Sequence, residues 1–351
     1  MKIYHLSHTD LDGYGAQLVT KYYFKDILFF NSNYGREIEA KFEEILNLIE
    51  NSAKFNENSE KIYEKSIVLI TDLNLNLQQC EKFENALKDR NSIIFLLDHH
   101  QTGLECSKKF PWYLMDSSRC ATLITYDFFS KLYGKDDKLF KFVNVVNAVD
   151  IWLKDNHWFE MGKVCMGVVS GAKEINKIMF DENSREYIFY LLDKSQTFFD
   201  RDSGHIALDE ALHKIKKEYF KKQNDDTLSN LISKFIVEKL SADREKFEIS
   251  YLDKKGILTY NIGNTSIIGN DFLVQNPDID FFIDVTSKKT LSFRANGNAD
   301  VSQMAKDLVG GGGHVNASGG FYAGFKDGYN YQSIKDQITD LISKKNFFSL
   351  I

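Results

Sequence analysis

Three short apolar runs in the first hundred residues each stop abruptly at acidic residues or histidine, and this pattern narrows the fold more than any other feature. KIYHLS at 2–7 leads into His8, Asp10 and Asp12; IVLIT at 67–71 leads into Asp72; IIFLL at 93–97 leads into Asp98, His99 and His100. Runs of this length, rich in β-branched residues and without alternation, suit strands buried on both faces, as in a parallel sheet. Helix-compatible stretches lie between them at 13–26, 35–50 and 77–90, the second with Ile38, Phe42, Ile45, Leu46 and Ile49 at helical spacing. Strand–helix alternation predicts an open α/β sheet. Ligands of such sheets bind beyond the carboxyl ends of the strands, so the three clusters are expected to meet on one edge.

The polar segment 51–65, NSAKFNENSEKIYEK, is expected as a surface loop or helix end. Residues 121–133 and 138–154 read as helices, the second carrying Asp150 in VNVVNAVDIW. Residues 183–246 hold long helix-favouring stretches rich in Lys and Glu, notably 206–222 and 227–246. From about residue 248 short strand-like runs take over (EISYLD, GILTYNI, FFIDVT, TLSFRA), followed by VGGGGHVNASGGFY. The expected architecture is α/β: a mostly parallel sheet domain with flanking helices over 1–195, a helical connector over 196–247, and a smaller mixed α/β domain over 248–351. A length of 351 residues is enough for two domains of roughly 150 residues each.

Charge and cysteine content exclude some classes. The net charge of −6 argues against a protein that coats long nucleic acid, so no long duplex partner is expected. Cys80, Cys106, Cys120 and Cys165 form no C-x-x-C pair, which argues against a disulfide scaffold or a Cys-ligated zinc site. The apolar centre of MKIYHLSHTDLDG is too short for a signal peptide, and no run approaches the ~18 apolar residues of a membrane span. A cytoplasmic protein, with no membrane partner, is expected.

The candidate metal ligands are His8, Asp10, Asp12, Asp72, His99 and Asp150. Four carboxylates and two imidazoles without a thiolate favour hard-to-borderline cations such as Mn²⁺ or Mg²⁺, with Co²⁺ a further candidate, over structural zinc. Six such groups exceed the needs of one ion, which points to two ions sharing a carboxylate. A pair ~3.5–4 Å apart activates water and neutralises charge during in-line attack on phosphorus. Asp72, alone at the end of a central run, is the best bridging candidate.

SHTDLDGYGA at 7–16, ITDLN at 70–74, LLDHHQTG at 96–103 and the Asp150 region resemble the DHH phosphoesterases. TLSFRANG and VGGGGHVNASGG are similar to that family's DHH-associated substrate-binding domain, so the resemblance covers nearly the whole chain apart from the helical middle. It implies metal-dependent hydrolysis of phosphate esters or anhydrides, usually with manganese, in a cleft between two domains. Carried over residue by residue, it gives one ion to His8, Asp10 and Asp72, and the other to Asp12, His99, Asp150 and the shared Asp72. Asp98 would orient its neighbour, and His100 would touch the scissile phosphate. Arg294 and His314 match the family's phosphate-contacting pair. The Gly310–Gly313 run, with Gly311, Gly312 and Gly313 nearest His314, would let backbone approach the nucleotide closely. Ser118 and Arg119 could face substrate phosphate or simply solvent.

Within that family, two domains with an arginine and GGGGH look most like the nanoRNase branch, which degrades short oligonucleotides and linear dinucleotides. The expectation is therefore a hydrolase, an Mn²⁺-dependent phosphodiesterase of very short oligonucleotides or linear dinucleotides. Cyclic dinucleotides and adenosine 3′,5′-bisphosphate are further candidate substrates, and the leaving-group proton is left open between His100 and water. Alternatives are an inorganic pyro- or polyphosphatase, a single-strand-specific exonuclease, and, outside enzymes, a nucleotide-sensing metal-binding protein. A monomer or a homodimer is expected.

Overall fold

The computed structural model describes residues 1–55, 57 and 61–348, with the side chains of 345–348 left aside. It divides into two compact units. The first comprises Met1–Gly171 and Ile188–Leu212; the second comprises Ala172–Tyr187 and the chain from His213 onward.

The first unit is built on strands β1 (Lys2–Ser7), β2 (Ile27–Asn31), β5 (Ser66–Thr71), β6 (Ser92–Asp98) and β7 (Tyr113–Met115), with a two-stranded ribbon, β3 (Lys54–Phe55) and β4 (Lys61–Ile62), set apart. The sheet order is β2-β1-β5-β6-β7 and every pairing is parallel. All five strands therefore end at the same edge. The helices are α1 (Leu11–Tyr23), α2 (Arg36–Asn51), α3 (Leu77–Leu87), α4 (Leu104–Lys109), α5 (Ala121–Tyr133), α6 (Asp137–Asp150) and α7 (Phe159–Ser170). On one face, Tyr4, Leu6, Val68 and Ile70 pack with Ile38, Phe42, Ile45 and Ile49 of α2 and Phe83 of α3. The α2 stripe follows the helical period, and the rings of Phe42 and Phe83 stack at 3.6 Å between centroids. On the other face α1 lies against β1, α5 against β5 and β6, and α1 against α5. With both faces covered, the strands need the unbroken apolar runs seen in the sequence.

The expected α/β fold with its parallel sheet is present, and the details differ at five places. β2 and β7 were not among the expected strands. The helix expected from Gly13 starts at Leu11, because Asp10 caps it by accepting from the Gly13 N–H at 3.0 Å. The helix expected over 138–154 stops at Asp150. The segment 51–65 contains the β3–β4 ribbon, while its residues 56 and 58–60 lie outside the described residues.

Helices α8 (Asp181–Gln196) and α9 (Gly204–Phe220) each contribute residues to both units. The second unit continues with α10 (Leu228–Ala242), α11 (Arg244–Phe247), β8 (Glu248–Tyr251), β9 (Lys254–Tyr260), α12 (Thr265–Gln275), β10 (Phe281–Val285), β11 (Thr290–Ala295), α13 (Val301–Val309), β12 (Gly312–His314), β13 (Ala317–Phe321) and α14 (Tyr331–Phe348). Its sheet order is β12-β13-β11-β10-β9-β8, with β9 and β10 parallel and the other pairs antiparallel.

One buried acid in this sheet has a measurable consequence. Asp284 of β10 accepts from Thr259 Oγ1 at 2.7 Å, the Ile262 N–H at 3.2 Å and Thr265 Oγ1 at 3.2 Å. Burial nevertheless raises its carboxyl to about 6. The folded state thus holds this proton more tightly than the unfolded chain does. The contribution is complete below the unfolded value near 4 and is lost as pH rises through about 6, a change of about 3 kcal/mol. Asp284→Asn keeps one acceptor oxygen for Thr259 Oγ1 and the Ile262 N–H, offers Thr265 Oγ1 an N–H to accept from in place of the second oxygen, and removes the ionisation. Denaturant melts of the variant between pH 4 and pH 7 are expected to show a flatter pH dependence and higher stability at pH 7; an unchanged profile would remove Asp284 as its source.

Candidate metal centre

The site begins where the strands stop. β1 ends at Ser7, and the next residue, His8, lies at the sheet edge. Two residues on, Asp10 caps α1, and Asp12 falls in that helix's first turn. β5 ends at Thr71, and Asp72 follows with a φ of 55°, a left-handed conformation that costs a residue with a Cβ but that Asp tolerates better than most. β6 ends at Asp98, with His99 and His100 just beyond. Asp150 closes α6.

Parallel strands bring these residues together. His8 Nδ1 lies 2.8 Å from Asp10 Oδ2 and 3.6 Å from Asp72 Oδ2. His99 Nε2 stands 3.4 Å from Asp72 Oδ1, 3.5 Å from Asp150 Oδ2 and 3.6 Å from Asp12 Oδ2. Asp72 is common to both groups. His100 Nδ1 donates to Asp98 Oδ1 at 2.7 Å and lies 4.0 Å from Asp72 Oδ1.

The surroundings hold the acids in place. The Ala121 and Thr122 N–H groups, at the N-terminus of α5, each donate to the Asp12 carboxylate at 2.7 Å. A helix N-terminus compensates a buried negative charge in this way. Asn147, one turn before Asp150, accepts from the Cys120 N–H at 2.8 Å and so ties the end of α6 to the start of α5. Beneath the edge, Ser7 Oγ lies 2.7 Å from Thr71 Oγ1 and His5 Nε2 lies 2.8 Å from the same hydroxyl.

Five carboxylates (Asp10, Asp12, Asp72, Asp98, Asp150) crowd this edge, and among the described residues no lysine or arginine pairs with any of them. Burial, reinforced by the charge of Asp12, pushes the Asp72 carboxyl well above its usual range and raises Asp150 to about 8. For Asp10 burial acts upward, but the contact with His8 prevails and holds it at about 2. His8 is correspondingly raised to about 9, its burial outweighed by Asp10 and Asp72. Asp72 Oδ2 and Asp150 Oδ2 are buried with no hydrogen-bond partner. A buried carboxylate left unpaired is costly, and a divalent cation would supply the missing charge. The donor set, oxygen with imidazole, fits such an ion.

The sequence left several of these neighbours unassigned. Tyr34 Oη sits 3.0 Å from His100 Nε2, and the Tyr113 hydroxyl donates to Asp98 Oδ2 at 2.9 Å. Tyr34 follows β2, which carries no acidic terminus to announce it, and Tyr113 opens β7, which is only three residues long. Recognising ILFFN at 27–31 as a strand was the available signal for Tyr34. Cys120 Sγ lies within 4.8 Å of ligand oxygens of Asp12 and Asp150, and nothing in its sequence context marks it. Arg119 is paired with Asp116 Oδ2 at 2.7 Å and with Asp127, and Ser118 Oγ donates to Asp116 at 2.6 Å.

Arg294 and His314 lie in the second unit. Arg294 on β11 pairs with Ala317 on β13, which pairs in turn with His314 on β12. Directly opposed residues share a face, so the two basic side chains flank one small residue, about 10 Å apart at the backbone. Arg294 Nη2 donates to Ser266 Oγ at 2.7 Å and Nη1 to the Phe293 carbonyl at 2.8 Å. Gly310 (φ 64°) ends α13 in the left-handed conformation, with the Gly310 N–H donating to Lys306 and that of Gly311 to Ala305, both at 3.0 Å. Gly313 has a φ of 150°, and a Cβ there would lie 2.6 Å from the Ala317 oxygen; a Cβ on Gly312 would meet open space.

A parallel sheet gathering acids and histidines at one edge, with DHH at the end of β6, defines a DHH-type phosphoesterase, and the chain belongs to that family. It is 41% identical over 354 residues to 3′,5′-cyclic-nucleotide phosphodiesterase of Helicobacter pylori (strain ATCC 700392 / 26695), covering 98% of this chain and 99% of the relative. It is 25% identical over 331 residues to oligoribonuclease NrnB of Bacillus subtilis (strain 168), covering 90% of this chain and 72% of that protein. A crystal structure of an uncharacterized protein from Helicobacter pylori G27 superposes with a TM-score of 0.85 at 40% identity, covering 98% of this chain and 99% of that one. No family model matches the sequence. The protein is a phosphodiesterase, a hydrolase acting on phosphoric ester bonds. Among the described residues, no helix is long and apolar enough to cross a membrane.

Proposed function

We propose that the protein uses two divalent ions, Mn²⁺ foremost, to hydrolyse the 3′,5′-phosphodiester bonds of small nucleotides, linear dinucleotides and very short oligonucleotides above all. The observation that carries this is Asp72: nearly fully buried, with Oδ2 unpartnered, it lies between the His8–Asp10 group and the His99–Asp12–Asp150 group. In this scheme His8, Asp10 and Asp72 hold one ion, and Asp12, His99, Asp150 and Asp72 hold the other. Bound there, the ions would activate water for attack on phosphorus and offset the charge that develops in the transition state. The protein's own part is to keep the ligands oriented. Asp12 is fixed by two backbone amides, and Asp10 is fixed by the amide it caps. His100, held by Asp98, would meet the scissile phosphate. Arg294 and His314 would fix the distal phosphate or terminal nucleotide, with Gly311, Gly312 and Gly313 admitting it closely.

A second substrate, a 3′,5′-cyclic mononucleotide, is favoured by the 41% identity to the H. pylori cyclic-nucleotide phosphodiesterase. The bond broken is of the same type. One experiment separates the readings: a labelled oligonucleotide length series, a linear dinucleotide, a 3′,5′-cyclic mononucleotide and pyrophosphate, each with Mn²⁺ or with EDTA. The dinucleotide is expected to be cleaved fastest, with turnover lost in EDTA and restored by Mn²⁺. Preference for the cyclic mononucleotide would select the second reading, and preference for pyrophosphate would overturn both. On the best substrate, Arg294→Ala is expected to raise KM roughly tenfold with kcat little changed, as for a contact made equally in ground and transition states. An unchanged KM would remove Arg294 from the substrate site.

A further inference from the structure

β2 is a parallel neighbour of β1, so the loop that follows it, Ser32–Gly35, emerges at the edge where the acids gather. That loop is tied down on both sides. Asn31 Nδ2 donates to the His8 carbonyl at 2.9 Å, and Thr9 Oγ1 donates to Asn33 Oδ1 at 3.0 Å. Asn33 in turn donates from its backbone N–H and Nδ2 to Glu37 Oε2, at 3.1 and 2.8 Å. At the loop's tip Tyr34 is 42% exposed, too open for a core role. Its ring nevertheless lies against both neighbouring imidazoles, 4.6 Å from His8 and 5.7 Å from His100 between centroids.

The hydroxyl completes a chain of four side chains. Tyr113 donates to Asp98 Oδ2 at 2.9 Å, Asp98 Oδ1 accepts from His100 Nδ1 at 2.7 Å, and His100 Nε2 lies 3.0 Å from Tyr34 Oη. A carboxylate can only accept, so Nδ1 carries the imidazole proton. In the neutral imidazole Nε2 then presents its lone pair, and the Tyr34 hydroxyl donates to it. Without the phenol, the ring has one hydrogen bond and is free to swing about it. With the phenol, both nitrogens are engaged and the ring plane is set. We propose that Tyr34 is a positioning residue of the phosphodiesterase, its hydroxyl holding the His100 ring, whose Nδ1–H is set by Asp98, at one fixed orientation beside the proposed metal-binding carboxylates.

The proposal rests on the role given to His100 above, and the test keeps the two apart. Tyr34→Phe keeps the ring against His8 and loses only the hydroxyl. With the best substrate of the panel and saturating Mn²⁺, Y34F is expected to lower kcat about 10- to 100-fold with KM within about twofold. In a His100→Ala background, Y34F is expected to cost nothing further, because its effect passes through that imidazole. The second readout is ¹⁵N-histidine NMR of the metal-free protein: Asp98 is expected to keep His100 in the Nδ1–H tautomer in both proteins, while the Nε2 resonance, shifted upfield by the phenol's hydrogen bond in the wild type, moves downfield in Y34F. Wild-type kcat in Y34F, or an equal loss in the H100A background, would overturn the proposal, as would an unchanged His100 spectrum. Wild-type turnover in H100A itself would instead remove His100 from the reaction, and with it the role on which the proposal depends.

Discussion

Asp72→Asn is expected to lower phosphodiester turnover by roughly three orders of magnitude or more, while the metal-free protein becomes more stable. The two effects share one cause. Asp72 is 2% exposed, and its carboxyl is driven upward by burial and by the charge of Asp12. Asparagine has the same shape and removes a charge from an edge that already carries four other carboxylates. Like charges repel less in the variant, so its melting temperature without metal should rise by a few degrees. The carboxylate proposed to serve both groups of ligands is then gone. Added Mn²⁺ stabilises a folded protein only through the ions it binds, so the Mn²⁺-induced rise in melting temperature should be much smaller than in the wild type. Near-normal turnover in the variant, or an undiminished response to Mn²⁺, would end the bridging role.

Gly13→Ala is expected to lower both stability and activity, and the sign of the stability change is diagnostic. Helix propensity alone predicts a gain, since alanine in place of a helical glycine is worth about 1 kcal/mol. The tertiary structure predicts a loss. A Cβ at Gly13 would lie 2.7 Å from the carbonyl carbon and 2.9 Å from the Cα of His8, and closer still to its oxygen. Those are backbone atoms of the turn that carries His8 and Asp10, held further by Asn31 Nδ2 donating to the His8 carbonyl. They cannot yield as a flexible side chain would. α1 must instead move away from β1, costing about 1–3 kcal/mol and taking Asp10 and Asp12 with it. Thermal melts should show a lower midpoint, and activity should fall at least roughly tenfold. A variant more stable than the wild type would show that this close approach is dispensable.

The parallel sheet was legible because strands buried on both faces need unbroken apolar runs, and β1, β5 and β6 each have one. The metal-site candidates were legible for a related reason: ends of parallel strands share an edge, so spacing along the chain did not have to be known to expect His8, Asp72 and His99 together. β2 and β7 were harder. ILFFN follows polar residues without a terminating acid, and YLM is three residues long. Missing β2 meant missing the loop that carries Tyr34. The end of α6 was likewise hidden, because the apolar periodicity continues through Ile151 and Trp152, whereas the helix stops at Asp150.

Residue types and their order along the chain thus determined the class of fold, the kind of chemistry and the acids and imidazoles expected at one sheet edge, because these depend on local hydrophobic pattern and on which atoms can donate electrons. Only the tertiary structure decided how those groups are held. The α5 amides on Asp12, the left-handed turn at Asp72, the approach of α1 to His8 and the phenol on His100 all join segments far apart in sequence. Their energies come from distances and angles that no single stretch of chain contains.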